Sequence, residues 1–298
     1  MRIFLLILLL VLLPACQNRG TVDLEGLKAR AQAGDPAASR TLIQLLGAEG
    51  RESHARIYPF LLELGERVVP YLLEEVETAD PVRREQVIAA LGNLKVSRAV
   101  PQIARVLADK SLKRRYVAAW ALGEIGSPEG IPALLAGLDD EEAEVRRFAV
   151  RGLIRLNRLA VPELLTYLAG ASPTGAAGAM RALGDIGDSR ALEALLRHSE
   201  GPNRPEVFMA LGKLKDQRAE SVLIAGLSDP QWRQRMHAAM ALGASGTAAA
   251  VGPLQKALED EVTVVREWAA RSLEVISGEH VTYRNDRGEQ VLPYSIYH

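Results

Sequence analysis

Residues 51–277 spell out an α-α superhelix, a stack of about seven to eight helix pairs in an all-α chain. One phrase, Ala121-Leu122-Gly123-Glu124-Ile125-Gly126, is rewritten as Ala90-Leu91-Gly92, Ala182-Leu183-Gly184, Ala210-Leu211-Gly212 and Ala241-Leu242-Gly243, with looser copies centred on Leu64, Leu153 and Leu273. These anchor leucines stand 27, 31, 31, 30, 28, 31 and 31 residues apart, and a period near thirty marks a repeat architecture. Around each anchor the apolar residues fall at offsets −4, −3, 0 and +3, as in Ala118, Ala119, Leu122 and Ile125. Those offsets make one face of a helix, so each repeat buries a stripe that it cannot cover alone.

Taken in order, the chain opens with Arg2 and an unbroken apolar run from Ile3 to Leu13, closed by Leu13-Pro14-Ala15-Cys16. At about 1.5 Å per residue that run is too short to cross a bilayer core of roughly 30 Å. Residues 1–15 therefore read as an export signal, and 16–22 as a short tether. Residues 23–50 predict a capping helix pair without the Ala-Leu-Gly phrase: Asp23 is an N-cap, Gly34-Asp35-Pro36 a break, and Ala37 to Leu46 a second helix. The first repeat, Arg51 to Glu77, is degenerate, and Asp80-Pro81 opens the second with proline where its missing N–H is harmless. Within a repeat the small residue before the anchor (Ala90, Ala121, Gly152, Ala182, Ala210, Ala241, Ser272) admits a close neighbour. The glycine after it suits a helix C′ turn, and a second helix follows, marked by Ile131, Leu134, Leu135 and Leu138 in the third repeat. In residues 278–298, β-prone runs flank Asn285-Asp286-Arg287-Gly288, which predicts a short hairpin or extended tail, with Tyr283, Tyr294 and Tyr297 available to cover the last repeat.

Two stretches resemble known families. Leu13-Pro14-Ala15-Cys16 resembles the lipobox of bacterial lipoproteins. That resemblance implies a lipidated Cys16, anchorage to the membrane of a cell envelope and, with Gln17 next, an outer membrane facing the periplasm in a host with two membranes. Glu144-Val145-Arg146-Arg147-Phe148-Ala149, an Ala-Leu-Gly turn, and second helices opening at Ile131-Pro132 or Val251-Gly252-Pro253 resemble the bacterial HEAT-like repeat, the type also found in phycobilin lyases, over roughly residues 51–276. The resemblance implies a polar ladder between repeats, here Arg84, Arg115, Arg146, Arg235 and Arg266 with Asp80, Asp109, Asp140, Asp229 and Asp260. Ala176 stands where the fifth repeat needs its arginine and Arg204-Pro205 disturbs the start of the sixth, which predicts a loosened joint over residues 170–205.

Little in the chain points to chemistry. Lys plus Arg (36) and Asp plus Glu (37) nearly cancel, which gives no basic footprint for nucleic acid. The one cysteine allows no internal disulfide or cysteine cluster. His54, His198, His237, His280 and His298 are never four apart, and no His-Glu dipeptide occurs, so neither a metal site nor a cofactor is expected. A binding surface is better supported. Trp120, Phe148, Arg151 and Arg181 lie beside the buried stripe, where large aromatic and arginine side chains either cover the edge of the core or form a partner patch. The sequence thus reads as a non-catalytic, lipid-anchored scaffold for one or more envelope proteins. The alternatives are a cell-wall or lipid-related ligand in the concave groove, and a phycobilin-lyase-like enzyme.

Overall fold

The structure, a computed structural model, describes residues 22–48 and 51–294, without the side chains of residues 48 and 51–54. The export signal, Cys16, the His54 side chain, Tyr297 and His298 lie outside the described residues. Among the described residues seventeen α-helices follow one another. They pair as α1 (Leu24–Gln32) with α2 (Pro36–Ala48), α3 (Arg51–Leu64) with α4 (Val69–Glu74), α5 (Pro81–Asn93) with α6 (Val100–Ala108), and α7 (Tyr116–Ile125) with α8 (Ile131–Gly137). The stack continues with α9 (Ala143–Leu156) and α10 (Val161–Leu168), α11 (Pro173–Ile186) and α12 (Leu192–Arg197), α13 (Arg204–Leu214) and α14 (Glu220–Gly226), and α15 (Trp232–Ser245) and α16 (Val251–Ala257). The last repeat has only its first helix, α17 (Thr263–Ser277), followed by a two-stranded antiparallel hairpin of β1 (Tyr283–Arg284) and β2 (Gln290–Val291). The fold is the all-α superhelix that the leucine period predicts.

Local chemistry sets the helix ends. Asp23 accepts from the Gly26 amide at 2.8 Å, Asp80 from those of Val82 at 2.9 Å and Arg83 at 3.2 Å, and Ser172 from that of Gly175 at 3.1 Å. Each satisfies a donor the first helical turn leaves free. All eight anchor leucines are only 0–4 % exposed, each worth about 1.5–3 kcal/mol of burial. They join one core that runs the length of the stack.

The glycine after the anchor makes the turn only in the first repeat, where Gly65 holds φ 57° just after α3 ends at Leu64; in the later repeats it does not. Gly123 lies inside α7, and the left-handed residue that closes this helix is Gly126, at φ 72°. Gly187, at φ 70°, does the same for α11, and Lys95, Asn157 and Lys215 hold positive φ at the same offset in their repeats. Gly123 serves the packing instead. A Cβ there would sit 2.6 Å from the Gly152 Cα, and a Cβ at Gly184 or Gly212 would meet Ala210 Cα at 2.6 Å or Ala241 Cα at 2.8 Å. At Gly92 it would meet Ala121 Cα at 3.1 Å, and at Gly243 the Ser272 Oγ at 2.5 Å. In the second, third, fifth, sixth and seventh repeats the glycine therefore lies against the small residue before the anchor leucine of the next repeat. The Ala-Leu-Gly helices pack closely on one another from repeat to repeat whereas the second helices scarcely meet, which puts the Ala-Leu-Gly helices on the inner, concave side of the stack.

The hairpin docks on the last helix. Arg266 Nε donates to the Arg284 carbonyl at 2.7 Å, and Thr263 donates to Asp286. Tyr283 is half-buried there, whereas Tyr294 is 77 % exposed and covers nothing. Among the described residues it is the hairpin, with Tyr283, that covers α17.

Candidate functional site

Two sets of residues connect or face the repeats: the Arg/Asp ladder in the turns, and the side chains that project from the concave face. In the ladder each arginine first ties down its own turn. Arg84 donates to the Thr78 carbonyl at 2.7 Å, Arg146 to that of Asp140 at 2.6 Å, Arg235 to that of Asp229 at 2.9 Å and Arg266 to that of Asp260 at 2.6 Å. The aspartates accept from the amide two residues on, as Asp140 does from Glu142 at 2.9 Å and Asp229 from Gln231 at 2.8 Å.

Only some rungs bridge repeats. Arg115 forks onto Asp140 at 2.6 and 2.8 Å, with Glu142 at 2.8 Å and the Leu107 carbonyl at 3.0 Å. Arg235 forks onto Asp260 at 2.6 and 2.9 Å. Arg84 and Asp109 do not meet: Asp109 turns to the Ser111 amide at 3.0 Å and hydroxyl at 2.6 Å. Arg146 finds no aspartate because Ala171 occupies the matching place in the next repeat. Asp80 caps α5 and pairs weakly with Arg83 at 3.8 Å, since Ile57 stands where the preceding repeat would carry its arginine. Burial opposes the charge on Asp140, yet the Arg115 hydrogen bond and the Glu142 amide hold its carboxyl below the usual range. A bidentate fork at fixed spacing acts as a register device between stacked units.

Arg204 is a rung that the sequence reading misses. It ion-pairs with Asp229 at 2.5 Å. The signal was available, since Arg204 stands seven residues before Leu211, the offset of the other ladder arginines. Pro205 does not disturb the helix, because α13 begins at Arg204 and a proline in the first turn removes only an amide that has no intrahelical partner. Between the fourth and fifth repeats Asp139 acts instead, accepting from Ser172, Tyr167 and the Gly175 amide, the last at 3.1 Å. The Ser172 and Tyr167 hydrogen bonds hold the Asp139 carboxyl low, while burial and Asp139 push the Tyr167 hydroxyl up.

On the concave face the four patch residues do not share one pocket. Trp120, Phe148 and Arg151 line a groove of about 450 Å³ between α7 and α9. Trp120 is half-buried, and its Cζ3 would lie 3.0 Å from a Cβ on Gly92. Phe148 packs 5.4 Å from the Tyr116 ring, with the Arg147 and Arg151 guanidiniums 5.2 and 5.4 Å from its centre. Arg181 sits one helix further on. It lines a groove of about 530 Å³ with Arg147 and Val150, and another of about 390 Å³ with Met209, Arg233 and His237. Trp120 and Phe148 both rest on the core and face the groove, whereas Arg151 and Arg181 are exposed. Met209 and His237, which stand two and five residues before their anchor leucines as the four patch residues do, extend the face, and Arg233 adds to it outside those two columns.

His198 and His237 each set Nδ1 against the carbonyl four residues back, at 2.8 and 2.6 Å. Among the described residues no group of three or more His, Cys, Asp or Glu is placed to hold a metal ion. No helix among them is long and apolar enough to cross a membrane.

The fold is similar to that of karyopherin Kap121p, with a TM-score of 0.59 and 14% identity over 86% of this chain and 34% of that one. Human deoxyhypusine hydroxylase in complex with glycerol aligns at a TM-score of 0.36 and 24% identity, over 85% of this chain and 99% of that one. The complex of CpcE and CpcF of phycocyanin lyase from Nostoc sp. PCC7120 aligns at 0.37 and 23%, over 69% and 86%. The first likeness is one of fold, and the other two are too slight to carry an argument. No curated protein matches the chain. The family model of HEAT repeats matches residues 69–153, 131–208 and 194–274 in overlapping stretches, and the chain belongs to the HEAT repeat family.

Proposed function

We propose that this HEAT-repeat chain is a non-catalytic scaffold that holds another protein on its concave face, anchored to a cell envelope by lipid on Cys16. The observation that carries the reading is the run of three adjoining grooves along the Ala-Leu-Gly helices. Aromatic and arginine side chains, Trp120, Phe148, Arg151 and Arg181, project into them beside a core that is already closed. Side chains of this kind concentrate in protein interfaces, and a repeat stack offers a long, quasi-rigid surface on which each unit supplies a few contacts. Anchorage rests on the Leu-Pro-Ala-Cys resemblance.

The test is in-cell crosslinking and pull-down of the full chain, with Cys16→Ser as the control for location and Trp120→Ala/Arg151→Ala as the control for the face. The expected result is a discrete set of crosslinked proteins that the double variant loses and the Cys16→Ser form meets less often. Retention of every partner by the double variant refutes the face. Equal membrane recovery of Cys16→Ser refutes the anchor.

A further inference from the structure

We infer that the concave face from α9 to α15 takes an extended, acidic segment of a partner protein, an inference that names the partner's chemistry and rests on the scaffold reading. Across the whole chain acidic and basic residues balance, at 37 and 36. Within the three grooves they do not: seven arginines and lysines and one histidine line them, against the single carboxylate of Glu206.

Some of these cations are already matched, Arg147 by Glu144, Arg155 by Glu124 and Lys213 by Asp185. Arg151, Arg181 and Arg233 are exposed and make no ion pair among the described residues. They stand on α9, α11 and α15, so the unmatched positive charge is spread along the stack rather than gathered at one point. Clefts lined by one sign of charge concentrate ligands of the opposite sign.

Geometry separates an acidic peptide from a nucleic acid. Packed helices lie about 8–10 Å apart, and a peptide in the extended polyproline II form advances about 3.1 Å per residue with about three residues per turn, so that every third side chain points the same way. A peptide crossing the helices therefore brings every third side chain to a new helix. Met209 on α13 lies between the arginines, and Trp120 on α7 and Phe148 on α9 lie beside the first of them; these accept the apolar residues of such a segment, while Glu206 on α13 repels a continuous phosphate backbone. A peptide that alternates carboxylates with apolar residues meets both kinds of surface. A polyphosphate meets only one.

The test uses the full chain with a fluorescent peptide of about twelve residues repeating Glu-Leu-Ser, compared by anisotropy with its Lys-Leu-Ser counterpart and with an oligothymidine of similar length. The expected result is saturable binding of the acidic peptide alone, weakened by salt. Arg151→Glu/Arg181→Glu is expected to lose at least about tenfold and to gain affinity for the basic peptide. Both positions are exposed, and Arg151→Gln/Arg181→Gln, which adds no repulsion, is expected to lose an intermediate amount. Equal binding of the two peptides, no saturable binding of the acidic one, or tighter binding of the oligonucleotide overturns the inference. Crosslinked partners that the charge-reversal variant retains as well as the wild type also overturn it, yet leave the scaffold reading intact. That reading fails separately, if the wild-type chain crosslinks to no protein in cells.

Discussion

Replacing Gly123 by alanine tests whether the recurrent glycine packs or turns. Inside a helix, glycine to alanine ordinarily gains about 1 kcal/mol. Here the new Cβ would stand 2.6 Å from a backbone carbon of α9, Gly152 Cα. Gly152 has little room to retreat, since Leu134 Cδ2 lies 2.9 Å from where its own Cβ would be. Overpacking typically costs about 1–3 kcal/mol, and a backbone contact belongs at the upper end because two helices must separate. The net expectation is a loss of about 1–2 kcal/mol, read as a lower denaturant midpoint at unchanged slope. Gly252→Ala, with nothing within 4 Å of its Cβ, is the control and should be neutral or stabilising. Asparagine separates the two roles. At Gly123 it should cost more than alanine because it is larger, whereas at Gly126, where φ is 72°, it should cost less because it tolerates the left-handed region. If Gly123→Ala is as stable as the wild type, or if asparagine outperforms alanine at Gly123, the packing argument is wrong.

Three further outcomes follow from the ladder. Arg115→Met should cost about 3–5 kcal/mol by leaving the Asp140 carboxylate buried without its fork, and Arg84→Met markedly less, because Arg84 holds only a carbonyl; equal unfolding midpoints would refute the distinction. Hydrogen exchange should find residues 170–205 less protected than residues 110–150, since Ala176 leaves the fifth repeat without a rung; equal protection refutes the loosened joint. Hydrogen bonds from Arg190 hold the Asp188 carboxyl at about 2, below its ordinary 3.8. Between those values the unfolded chain binds the extra proton, so this contribution, full above about pH 4, should be lost as the pH falls towards 2. Asp188→Asn should flatten that part of an acid-unfolding curve, and an unchanged curve would count against the assignment.

The superhelix is legible in the sequence because burial of Leu122 and its seven counterparts is a local, periodic signal. The role of Gly123 is not, because its contact lies on Gly152, in the next repeat, and a glycine fits a turn as readily as a close approach. The chain nevertheless holds a clue. Glu274 stands where the last repeat would carry the glycine, and among the described residues no helix follows α17 to be touched, as expected if the glycine serves the packing in every repeat after the first. Ile154 takes the same place in the fourth repeat, and that junction is also the one where Arg146 finds Ala171 instead of an aspartate. Two joining devices are absent at one step of the stack, which is where Asp139 reaches across to Ser172 and Tyr167. The ladder was half legible for the same reason: each arginine is recognisable by its offset, but whether it bridges depends on a residue 25 positions later, as Arg204 and Asp229 illustrate. Once the seam and the ladder are assigned, the positions two and five before each anchor remain, and they carry Trp120, Phe148, Arg151 and Arg181. Neither the seam nor the fork fixes the identity of those side chains, so that is where repeats sharing one fold can differ in what they bind.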